Sequence, residues 1–283
     1  MSISNFIPTI WSETLYKELS KNFIAVNHCN RDFEGEIKGK GSSVKICGVG
    51  DITIKDYTKN TDLSTPEILS DSATTVSVDK AKCFNFQIDD VDKAQCSPKL
   101  MEAALSKAAE ALANEADRYV LGLTSQAGKK FVNQYDSGES FFDTILKARE
   151  TLYQNNVTDG TEIFLEVTPK VAAKILKEKI ALPSSNENTV ESGFLGTIFG
   201  CKIYVTNNLV RTINSSNTQV STIYHNCVLR TRRAITFVDQ LSEIEAYRPE
   251  KRFADAIKGL HLYGAKVVYP NEMVAVTFEC LNE

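Results

Sequence analysis

Two pairs of residues have types that could do nucleophilic or metal chemistry. His28-Cys29 sets an imidazole beside a thiol, and His225 stands two residues before Cys227. A thiol nucleophile needs its base within hydrogen-bond reach. Adjacent residues of an extended strand point to opposite faces, so His28 and Cys29 cannot serve one another there. A metal centre needs three or four ligands, and His225 with Cys227 supplies two. A Cys–His pair assembled from distant segments stays open as an alternative. Asp89-Asp90-Val91-Asp92 clusters the oxygens a hard cation prefers. It lacks the spacing and glycine of a calcium loop, and it precedes a helix whose dipole favours acidic residues at its start. Arg230, Arg232 and Arg233, with Arg248, Lys251 and Arg252 downstream, form the one basic concentration. Phosphates could meet it. Asp239, Glu243, Glu245 and Glu250 lie close enough in sequence to neutralise it, and no stacking platform for bases accompanies it.

No established catalytic motif fills the gap. The chain contains no GxSxG, GxxxxGK[ST], HExxH or GxGxxG. Gly35, Gly39 and Gly41 precede a strand rather than a helix, so they read as turn glycines and not as a phosphate cradle. The seven cysteines, at 29, 47, 83, 96, 201, 227 and 280, are odd in number and have no CxxC or CxC spacing. That pattern predicts scattered core thiols in a reducing compartment rather than a disulfide framework. No cofactor or metal is expected.

Of 283 residues, 42% are hydrophobic and 24% charged, which is ordinary for a globular protein with a sizeable core. A net charge of -4 gives no overall basic excess to attract nucleic acid or membrane. No apolar run is long enough to cross a bilayer. Met1-Ser2-Ile3-Ser4-Asn5 lacks the basic and apolar regions of a signal peptide, and a cytoplasmic site of synthesis is expected.

The first ninety residues look built to reach other subunits. Phe6, Ile7, Pro8 and Trp11 open the chain, and Leu15, Tyr16, Leu19, Phe23, Ile24 and Val26 then space as a short amphipathic helix. Val44, Ile46, Ile52 and Ile54 alternate as a strand, interrupted at Gly48 to Gly50. Asp56 to Lys82 is polar, and Thr74 to Asp79 returns as a strand continued by Cys83, Phe84, Phe86 and Ile88. The result is a long hairpin loop, of a length that compact domains keep for function. It is either an arm laid on a neighbour or a surface loop of its own subunit.

Ser97-Pro98 begins a long helix. Met101, Leu105, Ala108, Leu112, Ala116, Tyr119 and Leu123 step along one face, predicting a helix to Thr124 that is about 40 Å long. Further helices are expected over 140–155, capped by Ser140, and from Pro169 to Ile180. Strands are expected at 161–167, 200–205, 219–224, 244–247, 258–269 and 273–278. Pro270-Asn271 turns between the last two. Helices and strands mix without repeating βαβ units, which predicts an α+β fold.

Taken in order, these elements resemble the major capsid proteins of tailed bacteriophages with the Hong Kong 97-type fold. The residues that carry the resemblance begin with Phe6-Ile7-Pro8, Trp11-Ser12, Asn30-Arg31-Asp32-Phe33-Glu34-Gly35-Glu36-Ile37, Gly41 and Val44. Val49 to Ile54, Asp56-Tyr57, and Asp89-Asp90-Val91-Asp92 continue the series. Gly196-Thr197-Ile198-Phe199-Gly200 and Ile203-Tyr204-Val205-Thr206-Asn207-Asn208-Leu209 lie in the central part. Arg248-Pro249, Phe253, Gly259, Tyr263-Gly264 and Pro270 end it.

The resemblance implies an N-terminal arm at 1–45, an extended loop at 46–85 and a spine helix at 98–124. The peripheral domain would combine 86–158 with 243–283, and the axial domain would be 159–242. It implies a structural protein, not an enzyme, that assembles through pentamers and hexamers into a head shell around double-stranded DNA contacted non-specifically. It further implies a place in the virion, assembly in the host cytoplasm, a portal and a separate scaffolding protein. Phe6, Trp11, Phe33 and Tyr57 are the expected intersubunit anchors, since aromatic side chains dominate interface energetics; each could instead pack inside its own subunit. Some relatives join a loop lysine to a neighbour's asparagine, but no spacing around Lys55, Lys59 or Asn271 predicts that crosslink. An encapsulin-like cellular nanocompartment shell is the alternative within the fold. A soluble Cys/His-dependent enzyme and a nucleic-acid-binding protein are the alternatives outside it.

Overall fold

The computed structural model describes residues 15, 17–20, 22–33, 43–49, 54, 56–57, 59–60, 62, 71–90, 100–134, 140–157, 161–177, 194–214 and 222–281. Three helices are described: α1 (Leu100–Gly122), α2 (Phe141–Gln154) and α3 (Pro169–Lys177). Twelve strands accompany them, namely β1 (Ser43–Val49), β2 (Asp71–Ser77), β3 (Lys80–Asp89), β4 (Lys129–Asn133), β5 (Ile163–Val167), β6 (Phe194–Ile198), β7 (Cys201–Val205), β8 (Arg211–Asn214), β9 (Thr222–Thr231), β10 (Ile235–Tyr247), β11 (Ala254–Val267) and β12 (Met273–Leu281). They form three sheets. One is the hairpin β1-β2, one has the order β10-β11-β3, and the largest runs β4-β12-β9-β5-β7-β6 with β8 also paired to β9.

The long helix forms where its periodicity places it. Its buried stripe runs through Leu105, Ala109, Leu112, Ala113, Ala116, Val120 and Leu121, so Ala109 and Val120 take the inner places expected of Ala108 and Tyr119. The stripe packs on one face of the three-stranded sheet, against Phe237, Ile257, Tyr263 and Ala265. Ser140 caps α2 as its sequence suggests, its hydroxyl accepting from the Phe142 amide. Helices α2 and α3 cover the large sheet through Ile145, Leu152, Val171 and Ile175, which meet Leu165, Ile203, Leu229 and Val276.

The three-stranded sheet uses both faces. On β11, Tyr263, Ala265 and Val267 point to the α1 core while Leu260 and Leu262 point the other way, to the base of the β1-β2 hairpin. On β10 the register with β11 shifts between Leu241 and Glu243. One extra residue reverses the alternation, so Phe237 before the bulge and Ile244 after it both reach the α1 core.

The extended hairpin is present, with β1 and β2 in continuous antiparallel register from Ser43↔Ser77 to Val49↔Asp71. Three features differ from the sequence expectation. Strands β4, β6 and β8 lie where the sequence predicts no strand, and β9, β10 and β11 are longer than expected. Strand β12 pairs with both β9 and β4, so segments expected in the peripheral and axial parts share one sheet. Among the described residues, no helix is long and apolar enough to cross a membrane.

Candidate functional site

The site with the densest buried chemistry is the root of the N-terminal segment, residues 22–33, where that segment meets the body. Leu15, Leu19 and Phe23 are buried in the core that α1 shares with the three-stranded sheet. The chain then makes a short 3-10 turn at Val26–His28. Such a turn leaves amides and carbonyls without partners in its own backbone, and burial makes each one costly unless paired. Three polar clamps pair them.

The first is Asp117, on the apolar stripe of α1. Its carboxylate accepts from the amides of Ile24 (2.9 Å) and Val26 (3.0 Å). Burial pushes its pKa up to about 7; these two amide bonds pull it down and nearby Glu166 adds to the rise.

The second joins β5 to β9. Arg230 and Glu166 are both fully buried and form a bidentate pair, Nη2 to Oε1 at 2.7 Å and Nε to Oε2 at 3.1 Å. The remaining donors of Arg230 satisfy the carbonyls of Ala25 (2.8 Å) and His28 (3.0 Å). His28 Nδ1 lies 2.9 Å from Glu166 Oε1, and its ring stacks on Phe164 with centroids 4.2 Å apart. Burial opposes the charge of Glu166, but Arg230 and His28 outweigh it and hold the carboxyl down at about 2. Burial likewise opposes the charge on Arg230, and Glu166 more than compensates, raising its pKa. A guanidinium suits this position because its fixed fork meets a carboxylate and two carbonyls at once.

The third clamp is on β10. Asn30 makes a parallel bridge to Thr236, donating to the Ile235 carbonyl and accepting from the Phe237 amide, each at 2.9 Å. Arg31 reaches Asp239 at 3.5 Å, and Asp239 also lies 3.3 Å from His261.

Directly behind this strap lies the root of the extended loop. Val44, Val76 and Val78 pack with Val238 and Leu262, with Phe33, Ile46 and Leu260 around them. Lys266 donates to the Thr75 carbonyl at 3.0 Å. A Cβ on Gly264 would lie 2.1 Å from the Ser77 carbonyl oxygen, so only glycine lets β2 cross there. The roots of the N-terminal segment and of the hairpin are therefore set on opposite faces of one small sheet.

The expected residues fall as follows. Phe33 is half-buried and packs inside the chain at the loop root. Tyr57 is 72% exposed, between β1 and β2. Phe6 and Trp11 lie outside the described residues. His28 ends the 3-10 turn and Cys29 follows it as the extended capping residue; Cys29 contacts the Ala25 carbonyl and Arg230, and burial pushes its thiol up to about 11, away from nucleophilic use. His225 meets Thr168 at 2.9 Å. Among the described residues no group of three or more His, Cys, Asp or Glu could hold a metal ion. The basic concentration is divided by the fold: Arg230 is internal, Arg233 pairs with Glu272 and Arg248 with Asp90. A phosphate cannot meet Arg230 there. The sequence reading missed Asp117 and Glu166. Each is an acid at a position whose neighbours on the same face or strand are apolar, which is the available signal.

No family model matches the chain, and no curated protein does. Solved structures do. A structure from Mycobacterium phage Che8 is 26% identical, with a TM-score of 0.66 over 90% of each chain. The capsid structure of the cyanophage P-SCSP1u is 15% identical, with a TM-score of 0.65 over 89% of this chain and 86% of that one. The chain has the major capsid protein fold of tailed bacteriophages. A virus-like particle from Pyrococcus furiosus shares this capsid fold at 13% identity and a TM-score of 0.56, over 95% of this chain and 99% of that one.

Proposed function

We propose that this chain is a major capsid protein that closes, through pentamers and hexamers of itself, into the icosahedral head shell of a tailed phage around double-stranded DNA. The observation that carries the reading is the pairing of arm root and loop root on one sheet, each locked by buried polar or tightly packed contacts. A shell subunit must present long segments to neighbours at fixed angles, and a hinge at their roots would lose the geometry. Buried ion pairs contribute little net stability but fix one arrangement against others. In this reading the role is structural rather than catalytic.

Phe6, Trp11 and Tyr57 then serve as anchors on neighbouring subunits, and Phe33 braces the loop from within its own. Residues 86–158 with 243–283 act as the peripheral domain and 159–242 as the axial domain, joined through the large sheet. A scaffolding protein and a portal are the further partners, and the virion is the location. The likeness to a virus-like particle favours one second reading, a cellular nanocompartment shell that encloses protein cargo. Expression of the full chain, particle purification and nuclease treatment test both. Particles that protect DNA in the presence of a portal and packaging motor support the head shell; particles that hold only a protein cargo support the compartment; a stable monomer contradicts both.

A further inference from the structure

A pocket of about 340 Å³ opens on the three-stranded sheet, on the face away from α1 and beside the hairpin root. Lys258 and Leu260 of β11 line it with their cross-strand partners, Glu245 on β10 and Asn85 and Cys83 on β3. Its polar walls are already paired. Lys258 Nζ lies 2.6 Å from a Glu245 carboxylate oxygen, and Asn85 Oδ1 accepts from the Tyr247 hydroxyl at 3.1 Å. A charged ligand would have to break into that ion pair, whereas the Leu260 side chain and the exposed Cys83 thiol offer apolar surface. The volume is near the low end for small-molecule sites, which run from about 300 to 1,000 Å³. It suits one aromatic side chain rather than a larger ligand.

The chain carries such a side chain elsewhere. Ile54 and Tyr57, between β1 and β2, are 95% and 72% exposed, so neither fills the pocket of its own chain. The hairpin also leads away from that pocket. Leu260 packs at the hairpin root with Val44 and Val76, and from that pair the strands run on in unbroken register to Val49 and Asp71. That is roughly 17 Å at about 3.3 Å per residue. Tyr57 follows the far end of the paired strands in sequence, while the pocket lies at their root. A second copy can therefore join what one chain keeps apart. We propose that the pocket between Cys83 and Leu260 receives Tyr57, with Ile54 beside it, from the β1-β2 hairpin of a neighbouring copy of this chain. The proposal rests on the shell reading and adds the surface on which the hairpin lands. The ring supplies apolar contact, and its hydroxyl stays at the polar rim beside Asn85. A head-to-tail contact of this kind repeats around a ring and closes when the rotation allows.

Cys83 is itself the probe, because it is exposed in the single chain. In particles assembled from the full-length chain, it should react with a maleimide about tenfold more slowly than in dissociated chains, since a seated aromatic anchor excludes water. Peptide mapping assigns the label to Cys83. Tyr57→Ala, assembled at raised concentration, should lose that protection. Tyr57→Cys treated with a short bis-maleimide should give chains linked through positions 57 and 83, and adding Cys83→Ser should abolish the link. Particles in which Cys83 stays fully reactive, or stays protected in Tyr57→Ala, overturn the contact and leave the shell reading standing. A chain that forms no particles overturns the shell reading, and this contact with it.

Discussion

Replacing Arg230 with alanine should detach the arm root more severely than any other single change in the described chain. The substitution strands Glu166, fully buried, with the His28 ring as its remaining side-chain hydrogen-bond partner. It also removes the donors to the Ala25 and His28 carbonyls. Breaking one side of a buried pair costs about 3–5 kcal/mol, because the other charge stays desolvated. The depressed pKa gives an independent figure. Glu166 falls from 4.5 to about 2, which corresponds to about 3 kcal/mol of linked stability. That contribution is present above pH 4.5 and disappears as pH falls through about 2. Urea unfolding of Arg230→Ala should show the loss as a lower midpoint with an unchanged slope. Hydrogen exchange should speed at the arm-root amides. The double variant Arg230→Met with Glu166→Gln should be less damaged than the sum of its singles, since it removes both charges together. A loss under about 1 kcal/mol, or strict additivity in the cycle, would refute the clamp.

Three further outcomes follow from the same geometry. Asp117 has its folded pKa raised from 3.8 to about 7, so its contribution is full below 3.8 and fades as pH rises through 7; the protection of the Ile24 and Val26 amides relative to their intrinsic exchange rates should fall between pH 6 and pH 8, and Asp117→Asn should flatten that dependence. Gly264→Ala forces a methyl toward the Ser77 carbonyl and should cost about 1–3 kcal/mol, read as a lower melting temperature and a poorer yield of particles. Tyr57→Ala should leave subunit stability unchanged, because the ring is exposed, yet weaken assembly by about 2 kcal/mol, read from the concentration at which particles sediment.

Much of the scaffold is legible in the residues. The alanine-rich run from 100 to 122, the Ser140 cap and the apolar run at 163–167 all announce their elements through local rules. The long strands are less legible for physical reasons. In β10 the bulge at Leu241/Glu243 breaks the alternation that marks a strand, and Asp239 is drawn inside by Arg31 and His261 against its usual preference. Strand β6 turns into β7 through Phe199 and Gly200, both with positive φ, a turn that Phe199 does not advertise. The arm-root site was hidden most completely. Its pairs bring Asp117 to Val26 across 91 residues and Arg230 to Glu166 across 64, so no local pattern joins them. What the sequence did display was each acid in apolar surroundings: Asp117 between Ala113 and Leu121, and Glu166 between Leu165 and Val167.

The central claim is that this chain builds a closed shell from copies of itself. Sedimentation and negative-stain electron microscopy of the untagged full-length chain, alone and with a scaffolding partner, test it most directly. Closed shells, rings of five or six, or tubes are the predicted result. A monomer that persists at high concentration and is unchanged by the scaffolding partner would contradict it.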